Sequence, residues 1–249
     1  NPEIDFAVRY ILDELGIEIE EPDTEHLDTI LEPYLETGFP TTSDFSSLAR
    51  KTLTDVSPIE DPDDALLKWM EHEEKLFRRL ERHIIAKRLR EGFAGDNDTT
   101  DVEGFIKFSL SVHNRRKSRV GHALENHLEE IFKVHRISYS RNEITENKSR
   151  PDFIFPGINF YHDQGFPAAR LTMLGVKSTC KDRWRQVLAE AERIRTKHLF
   201  TLEPGISESQ TSEMRFNNLQ LVLPLQLHDT YKRDQRDWLM SFNYFIELV

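Results

Sequence analysis

Apolar residues in the second half of the chain are spaced as in short strands. The run Phe153-Ile154-Phe155 lies between Pro151 and Pro156-Gly157, and such punctuation is typical of a strand. The segment 171–177 is apolar through much of its length, which predicts a second, largely buried strand. Three further segments are predicted strands: 139–145, 198–202 and 219–223.

Apolar residues at helical spacing predict helices before, between and after these strands. A long helix is expected from Asp64, another over 105–110, and a third that follows the basic run 114–119 and carries Glu125. A helix with Asp182 as its N-cap is expected to continue through Ile194. The other predicted helices cover 5–16, 27–34, a short segment through Leu48 capped by Thr42 or Ser43, the segment through Arg215 capped by Ser207, and 234–248.

The segment 55–64, which contains Pro58 and Pro62, is the best candidate for a linker, and an ordered surface loop fits the same composition. The succession of helix, three strands, helix, strand, helix and strand predicts an α/β domain. We therefore expect a helical N-terminal region over 1–60 and a larger domain over 61–249.

Charge is distributed unevenly along the chain. The net charge of −11 argues at first against a nucleic-acid partner. However, residues 1–64 hold 18 acidic and 3 basic side chains, a net −15, so the remainder of the chain carries +4. The larger domain can therefore present a basic cleft beside an acidic N-terminal region.

Composition restricts the class of protein and the compartment in which it works. A hydrophobic content of 38% in 249 residues supports a real core, and no run approaches the length of a membrane span. Cys180 is the single cysteine, which excludes an internal disulfide and suits a reducing cytoplasm. Because the chain begins at Asn1 and not at a methionine, a processed end or an upstream domain is an open alternative.

Two charged residues at strand ends are candidates for a phosphodiesterase centre. Asp152 begins one predicted strand and Lys177 ends another, so adjacent strand ends would bring them together. Carboxylates bind Mg²⁺ through oxygen, and the ion activates water and neutralises charge on the phosphorane. A lysine ammonium nearby orients the nucleophile or stabilises the transition state. The alternative is a structural ion pair of Lys177 with Asp152 or Glu190.

Glu190 favours the catalytic interpretation. On the predicted helix, Arg183, Val187, Glu190 and Ile194 share one face, because they are spaced by four, three and four residues. A carboxylate among apolar neighbours is unfavourable unless it has a partner, and a metal ion or Lys177 would be such a partner. We therefore expect Glu190 to lie over Asp152 and Lys177.

These residues together resemble the PD-(D/E)xK nuclease superfamily. Pro151-Asp152, Lys177 and Glu190 are similar to the variant in which the second carboxylate has moved to the following helix, and Gly175 stands where the usual pattern has Asp or Glu. Lys181-Asp182-Arg183 falls where this variant carries a reader of CC:GG. The combination resembles the catalytic domain of EcoRII-type type II restriction endonucleases, to which the PspGI-type enzymes are related.

The resemblance implies a fold, a cofactor and further site residues. The fold would be a restriction-endonuclease-like core, a central mixed sheet flanked by helices, with residues 61–249 as the nuclease domain. Mg²⁺ would be held by Asp152, Glu190 and the main-chain carbonyl of Val176. Glu125 is carried over as an auxiliary acidic residue, and a structural pairing with Arg or Lys is its equally weighted alternative.

The resemblance also implies double-stranded DNA as substrate and a short site of the form CC-x-GG. Lys181 and Arg183 would donate to guanine, and Asp182 would accept from cytosine or serve only as an N-cap. A palindromic site favours a homodimer, with the 64–110 helices as interface. The remaining predicted DNA contacts are Arg115, Arg116 and Arg119. An odd-length site also implies a pocket for a flipped central base, and the candidates for its wall are Trp69 and Phe77, although such residues are more often plain core residues.

Two other functions compete with this hypothesis. An enzyme of the same fold could act in DNA repair or junction cleavage, where structure is recognised instead of sequence. A DNA-binding regulator could retain the acidic residues only as partners of arginines. The possible reader Lys181-Asp182-Arg183 disfavours the first alternative, and the joint presence of Asp152, Lys177 and Glu190 disfavours the second.

Overall fold

The computed structural model describes residues 7–8, 11–12, 15, 24–94, 100–180 and 183–249. Most of the helix predicted over 5–16 therefore lies outside the described residues. The chain divides into two compact units. The sheet unit holds the described residues of Asn1–Glu18, Val56–Leu67 and His127–Val249, and the helical unit holds those of Ile19–Asp55 and Lys68–Asn126. The predicted boundary after residue 60 stays a prediction.

The helical unit is built on an apolar core. Its helices are α1 (Thr24–Leu31), α2 (Tyr34–Thr37), α3 (Thr42–Thr52), and parts of the two long helices α4 (Pro62–Glu91) and α5 (Val102–Val134). Thr41 begins α3 as its N-cap, because its hydroxyl accepts a hydrogen bond from the Asp44 N–H at 3.2 Å. The buried core residues are Leu27, Leu31, Phe45, Ala49, Leu76, Phe77 and Leu80.

The sheet unit contains one mixed six-stranded sheet in the order β1-β2-β3-β4-β5-β6. Antiparallel pairing joins β1, β2 and β3, and parallel pairing joins β3, β4, β5 and β6. The predicted central mixed sheet flanked by helices is thereby confirmed. The strands are β1 (Ser140–Arg141), β2 (Phe153–Phe155), β3 (Thr172–Val176), β4 (Lys197–Phe200), β5 (Leu219–Leu223) and β6 (Met240–Ser241). The helices along them are α6 (Ile158–His162), α7 (Trp184–Leu188), α8 (Glu208–Phe216), α9 (Arg233–Arg236) and α10 (Phe242–Leu248).

Aromatic side chains fill the core on one face of this sheet. The ring of Phe132, on α5, meets Phe153 and Phe155 of β2 edge to face, with centroids 5.2 and 5.1 Å apart. Phe242 and Phe245 of α10 complete the cluster at 6.0 and 6.4 Å from Phe132. Such edge-to-face pairs stabilise by about 0.5–1.5 kcal/mol beyond the area they bury. These contacts hold β2 in place, and Asp152 immediately precedes this strand.

Asp63 fastens the first turn of α4 within the sheet unit. Its carboxylate is buried and accepts main-chain hydrogen bonds from Leu225 at 2.7 Å, Phe242 at 3.0 Å and Asn243 at 2.7 Å. The segment 55–64 is therefore ordered where it enters the helix, and it continues into α4 from Pro62. In the described part of the chain, no helix combines the length and apolarity that a membrane span requires.

Four predicted helices differ from the structure in their extent or continuity. The helices expected over 105–110 and around Glu125 are one continuous helix, α5, because the basic run 114–119 contains neither proline nor glycine to interrupt it. The helix expected through Ile194 ends at Leu188. The closing helix expected over 234–248 is two short helices separated by β6, which pairs with β5 at Val222 and Leu223.

Candidate active site

Asp152 and Lys177 meet where β2 begins and β3 ends. Because Phe153 pairs with Leu174 in the antiparallel register, the residue before β2 lies beside the end of β3. Asp152 Oδ2 accepts hydrogen bonds from the Val176 N–H at 2.6 Å and from Lys177 Nζ at 3.1 Å. Both side chains remain partly accessible, at 13% for Asp152 and 18% for Lys177. The sequence prediction that strand ends bring these two residues together is confirmed.

Glu190 is the second carboxylate at this place. Burial is the main cause that raises its pKa, to about 7, and the charge of Asp152 raises it further, while Lys177 and Lys197 oppose the shift. Its Oε2 is buried and has no hydrogen-bond partner within the described residues. A buried carboxylate oxygen without a partner is unfavourable, so a cation that bound here would compensate it.

Glu190 reaches the site from a turn and not from a helix face. Helix α7 ends at Leu188, and the Glu190 N–H donates to the carbonyl of Val187 at 3.2 Å. The next residue, Ala191, has a φ of 48°, in the left-handed region that L residues seldom adopt. The prediction that Arg183, Val187, Glu190 and Ile194 share one helical face is therefore wrong, although Glu190 interacts with Asp152 and Lys177 as expected.

Gly175 lies where a side chain would meet helix α7. A Cβ built at Gly175 would lie 2.9 Å from Cγ2 and 3.0 Å from Cγ1 of Val187. No side chain fits there without a shift of a buried valine. The space that an Asp or Glu side chain would need at this position is thus taken by α7, and Glu190 lies in the turn after that helix.

The donor set fits a hard divalent cation. Two carboxylates, Asp152 and Glu190, interact electrostatically, and the oxygen of Glu190 lacks a protein donor in the described residues. Oxygen ligands are those that Mg²⁺ prefers. No group of three or more His, Cys, Asp or Glu side chains suited to a metal occurs in the described ranges. A cation at this place would therefore take its remaining ligands from main-chain or water oxygen.

The predicted DNA reader is only partly described. Lys181 and Asp182 lie outside the described residues. Arg183 is exposed and precedes α7 as its N-cap residue without a side-chain capping bond, which corrects the expected start of that helix at Asp182. Earlier in the chain, the main-chain N–H of Cys180 donates to the carboxylate of Glu203, and this hydrogen bond holds Cys180 in place. Burial raises the pKa of the Cys180 thiol to about 12, which makes it an inert core residue.

The arginines of the basic run have partners inside the helical unit. Arg115 lies over the ring of Phe39 at 4.7 Å, and Arg116 pairs with the buried Glu81 at 2.6 Å. Arg119 is itself buried, pairs with Glu74 and lies 4.2 Å above the Phe77 ring. Arg119 therefore lies on the face of α5 that packs into its unit, whereas it was predicted to contact DNA.

The remaining predicted site residues also lie in the helical unit. Trp69 and Phe77 are 5% and 2% exposed, and Phe77 packs against Phe39 at 5.0 Å. Both rings are core residues in this structure. Glu125 is half-buried on α5. Its auxiliary role stays a prediction.

Two residues that shape the site were missed by the sequence reasoning. Lys197, at the start of β4, is buried, and its Nζ donates to the carbonyl of Ala191 at 2.6 Å. Burial lowers its pKa, while the charges of Glu146, Glu190 and Glu192 oppose that shift. Glu203, which accepts from Cys180, is the other. A lysine that opens an apolar strand was the one signal in the sequence that pointed to Lys197.

The fold is that of the restriction endonucleases. It matches metal-depleted Ecl18kI in complex with uncleaved, modified DNA with a TM-score of 0.68 and 17% identity, over 92% of this chain and 84% of that one. It matches a restriction endonuclease PspGI–substrate DNA complex with a TM-score of 0.65 and 14% identity, over 86% of this chain and 93% of that one. Both matches place the mixed sheet and its flanking helices in the PD-(D/E)xK class of folds.

Sequence comparison defines the family within this class. Residues 77–246 match the family described as EcoRII C terminal. The chain is 44% identical over 187 residues to the type II restriction enzyme EcoRII of Escherichia coli. This alignment covers 75% of the chain and 45% of that enzyme, so the chain spans less than half the length of this relative. The chain belongs to the EcoRII C-terminal family.

Proposed function

We propose that the sheet unit hydrolyses phosphodiester bonds of double-stranded DNA at a specific short site, with Mg²⁺ as cofactor, as a type II restriction endonuclease. The observation that carries the proposal is the buried Glu190 oxygen without a partner in the described residues, which interacts with Asp152 and Lys177. A divalent cation bound between Asp152 and Glu190 would compensate this oxygen. Family membership and the fold support the same function.

The residues of the site divide the chemistry among them. Asp152, Glu190 and the main-chain carbonyl of Val176 hold the cation, which supplies an activated water and charge neutralisation when bound. The Val176 N–H fixes one oxygen of Asp152, so the other is free to turn toward the cation. Lys177 places an ammonium beside this carboxylate, where it stabilises the negative charge that develops on the scissile phosphate. Glu125 is proposed as an auxiliary acidic residue.

We infer that Lys181, Asp182 and Arg183 read a site of the form CC-x-GG. Arg183 is exposed immediately before α7, in the segment that follows Lys177 along the chain. A guanidinium can donate to O6 and N7 of guanine in the major groove. Arg115 and Arg116 are proposed as contacts to phosphate, and Arg119 is too buried for that role.

A homodimer in the cytoplasm of a bacterial or archaeal cell completes the proposal. Helix α5 exposes a row of apolar side chains near its start, at Val102, Phe105, Ile106 and Leu110, which suits an interface between two copies. Sedimentation velocity on the protein at micromolar concentration tests this association, and a monomer at every concentration would contradict it.

An odd-length site puts its central base pair on the dyad, and flipping of the central bases would resolve that conflict. The burial of Trp69 and Phe77 argues against either ring as the wall of the pocket, since a flipped base needs an accessible ring. The fluorescence of 2-aminopurine at the central position, with Ca²⁺ in place of Mg²⁺, tests flipping, and an unchanged signal on binding would contradict it.

Digestion of supercoiled plasmid with Mg²⁺ and with EDTA tests the proposed reaction. We expect discrete double-strand cuts only with Mg²⁺, and none from Asp152→Asn under either condition. DNA binding without cleavage would support a regulator. Preferential cleavage of branched over linear duplex would support a junction nuclease.

A further inference from the structure

The turn that carries Glu190 has a conformation that its own sequence does not favour. Ala191 is 1% exposed and has a φ of 48°, a left-handed conformation in which a side chain crowds the backbone. Such a residue keeps this conformation only where its surroundings impose it. The position of Glu190, one residue earlier, therefore depends on the groups that hold Ala191 in place.

Lys197 is the side chain that holds this turn from inside the sheet unit. Its Nζ donates to the carbonyl of Ala191 at 2.6 Å, and the same carbonyl accepts from the Ile194 N–H at 2.9 Å. Its own main-chain N–H donates to Asn218 at 3.0 Å, so the ammonium projects from a strand that is itself fixed in the sheet. Lys197 is 6% exposed, and a buried ammonium is unfavourable unless its contacts compensate it.

Other residues hold the rest of the turn. The Glu192 N–H donates to Glu146 at 3.3 Å, and Arg193 donates to the main-chain oxygens of Asp163 at 3.0 Å and Phe166 at 2.9 Å. These contacts fix residues after Ala191. Lys197 acts on the residue directly attached to Glu190.

We propose that Lys197 is a positioning residue that holds the Glu190 carboxylate where a divalent cation can bind it. The ammonium donates to the main chain beside Glu190, while Oε2 of Glu190 remains without a hydrogen-bond partner in the described part of the chain. Lys197 thus orders the turn without occupying that oxygen. This inference rests on the proposed function, because it assigns Lys197 to the same metal site.

Calorimetric titration of Ca²⁺ into the protein tests the inference without any turnover. Lys197→Met keeps most of the side-chain length and removes the donor and the charge. Loss of a group that orients a metal ligand weakens binding by about 10–100-fold, so we expect a decrease of at least about tenfold in Ca²⁺ affinity. In cleavage assays, the Mg²⁺ concentration that gives half-maximal rate should rise, while DNA affinity in EDTA stays that of the wild type.

Gln235→Met is the matched control. Gln235 is equally buried at 6%, and its side-chain amide donates to the main-chain oxygen of Ile206 at 2.9 Å and to Thr211 at 2.8 Å. The variant also removes a buried donor to a carbonyl, but one that holds no residue of the metal site. It should lose stability and keep the Ca²⁺ affinity of the wild type.

A second pair of variants keeps the test decisive if Lys197→Met alone does not fold. Glycine adopts a left-handed φ readily, so Ala191→Gly relieves the backbone and serves as a more tolerant background for Lys197→Met. Ca²⁺ affinity of the double variant equal to that of Ala191→Gly, or of Lys197→Met equal to the wild type, would overturn the inference. If the wild-type protein itself neither binds Ca²⁺ nor cleaves DNA, the proposed function fails, and the role of Lys197 fails with it.

Discussion

At the scale of single residues, the geometry of the proposed site depends on the lack of a side chain at Gly175. The two methyl groups of Val187 lie 2.9 and 3.0 Å from the position that a Cβ of residue 175 would take, so a side chain two residues before Lys177 would require a shift of Val187. The chain instead provides Glu190 from the turn after α7. Packing of α7 on β3 thus favours Glu190 over position 175 as the second carboxylate of the proposed site.

Replacement of Glu190 separates its role from that of Glu125. Glu190→Gln keeps the size of the side chain and removes the charge that holds the cation, so we expect the cleavage rate to fall by at least about a hundredfold. DNA affinity in EDTA should remain, and exposed Asp234→Asn should behave as the wild type. A Glu190→Gln enzyme with near-native rate, together with an inactive Glu125→Gln, would transfer the second carboxylate role to Glu125.

Substitution of Gly175 tests the steric argument. Overpacking of a core costs about 1–3 kcal/mol, so Gly175→Ala should lower the free energy of unfolding by that amount. Removal of the opposing methyl groups in Gly175→Ala/Val187→Ala should give less loss than the sum of the two single variants, as measured by urea unfolding. Gly121→Ala is the control, because Gly121 lies in α5 with nothing within 4 Å of an added Cβ. Strict additivity at 175 and 187 would refute the conflict.

At the scale of elements, the sequence predicts the positions of the strands better than the ends of the helices that connect them. β2, β3 and β5 follow from short apolar runs with proline or polar boundaries, and Ser207 caps α8 as expected, with its hydroxyl 3.4 Å from the Gln210 N–H. The early end of α7 could not be predicted, because its apolar pattern continues through Ile194 and distant residues impose the turn at Ala191. Lys197 is one of these distant residues, and it lies beyond the range of any local pattern.

Strand β6 was missed for a similar reason. It is two residues long and exists because β5 offers a parallel partner at Val222 and Leu223. The proximity of Asp152 and Lys177 could be predicted, since the ends of adjacent strands are fixed by the sheet register. The interaction of Glu190 with both residues was expected from a helical face that does not exist, since α7 ends at Leu188.

The first turn of α4 depends on one buried carboxylate. Asp63→Ala would leave the main-chain N–H groups of Leu225, Phe242 and Asn243 without their acceptor, and we expect a loss of about 3 kcal/mol in the free energy of unfolding. Asp63→Asn keeps one acceptor oxygen and should lose less. Urea unfolding measures both, with exposed Asp234→Ala as control. Equal stability of Asp63→Ala and the wild type would show that these hydrogen bonds do not stabilise the fold.

At the scale of the whole molecule, recognition and chemistry are assigned to consecutive segments. Lys177 is proposed to act in the chemistry and Arg183 to read bases, and only a short segment of the chain, in which Cys180 donates to Glu203, separates them. We therefore expect the residues for recognition and for chemistry to lie close together. Single substitutions should nevertheless change one of the two functions without the other.

Arg183→Ala should relax discrimination between CC-x-GG and altered sites by about 1–3 kcal/mol, because a lost base contact affects only the sequence that it reads. Arg115→Gln is the matched comparison: removal of a phosphate contact should weaken all sequences alike and reduce the salt slope by about one. Arg116 is unsuitable here, since its loss leaves the buried Glu81 unpaired. Fluorescence anisotropy in Ca²⁺ measures both variants, and unchanged discrimination in Arg183→Ala would place the reader elsewhere.

Sequencing of the ends left in a digested random-sequence plasmid library reports cleavage, metal dependence and specificity in one experiment. We expect double-strand breaks in Mg²⁺ that all lie at one short palindromic site of the form CC-x-GG, and no breaks in EDTA. Ends scattered over unrelated sequences, or the same ends in EDTA, would contradict it.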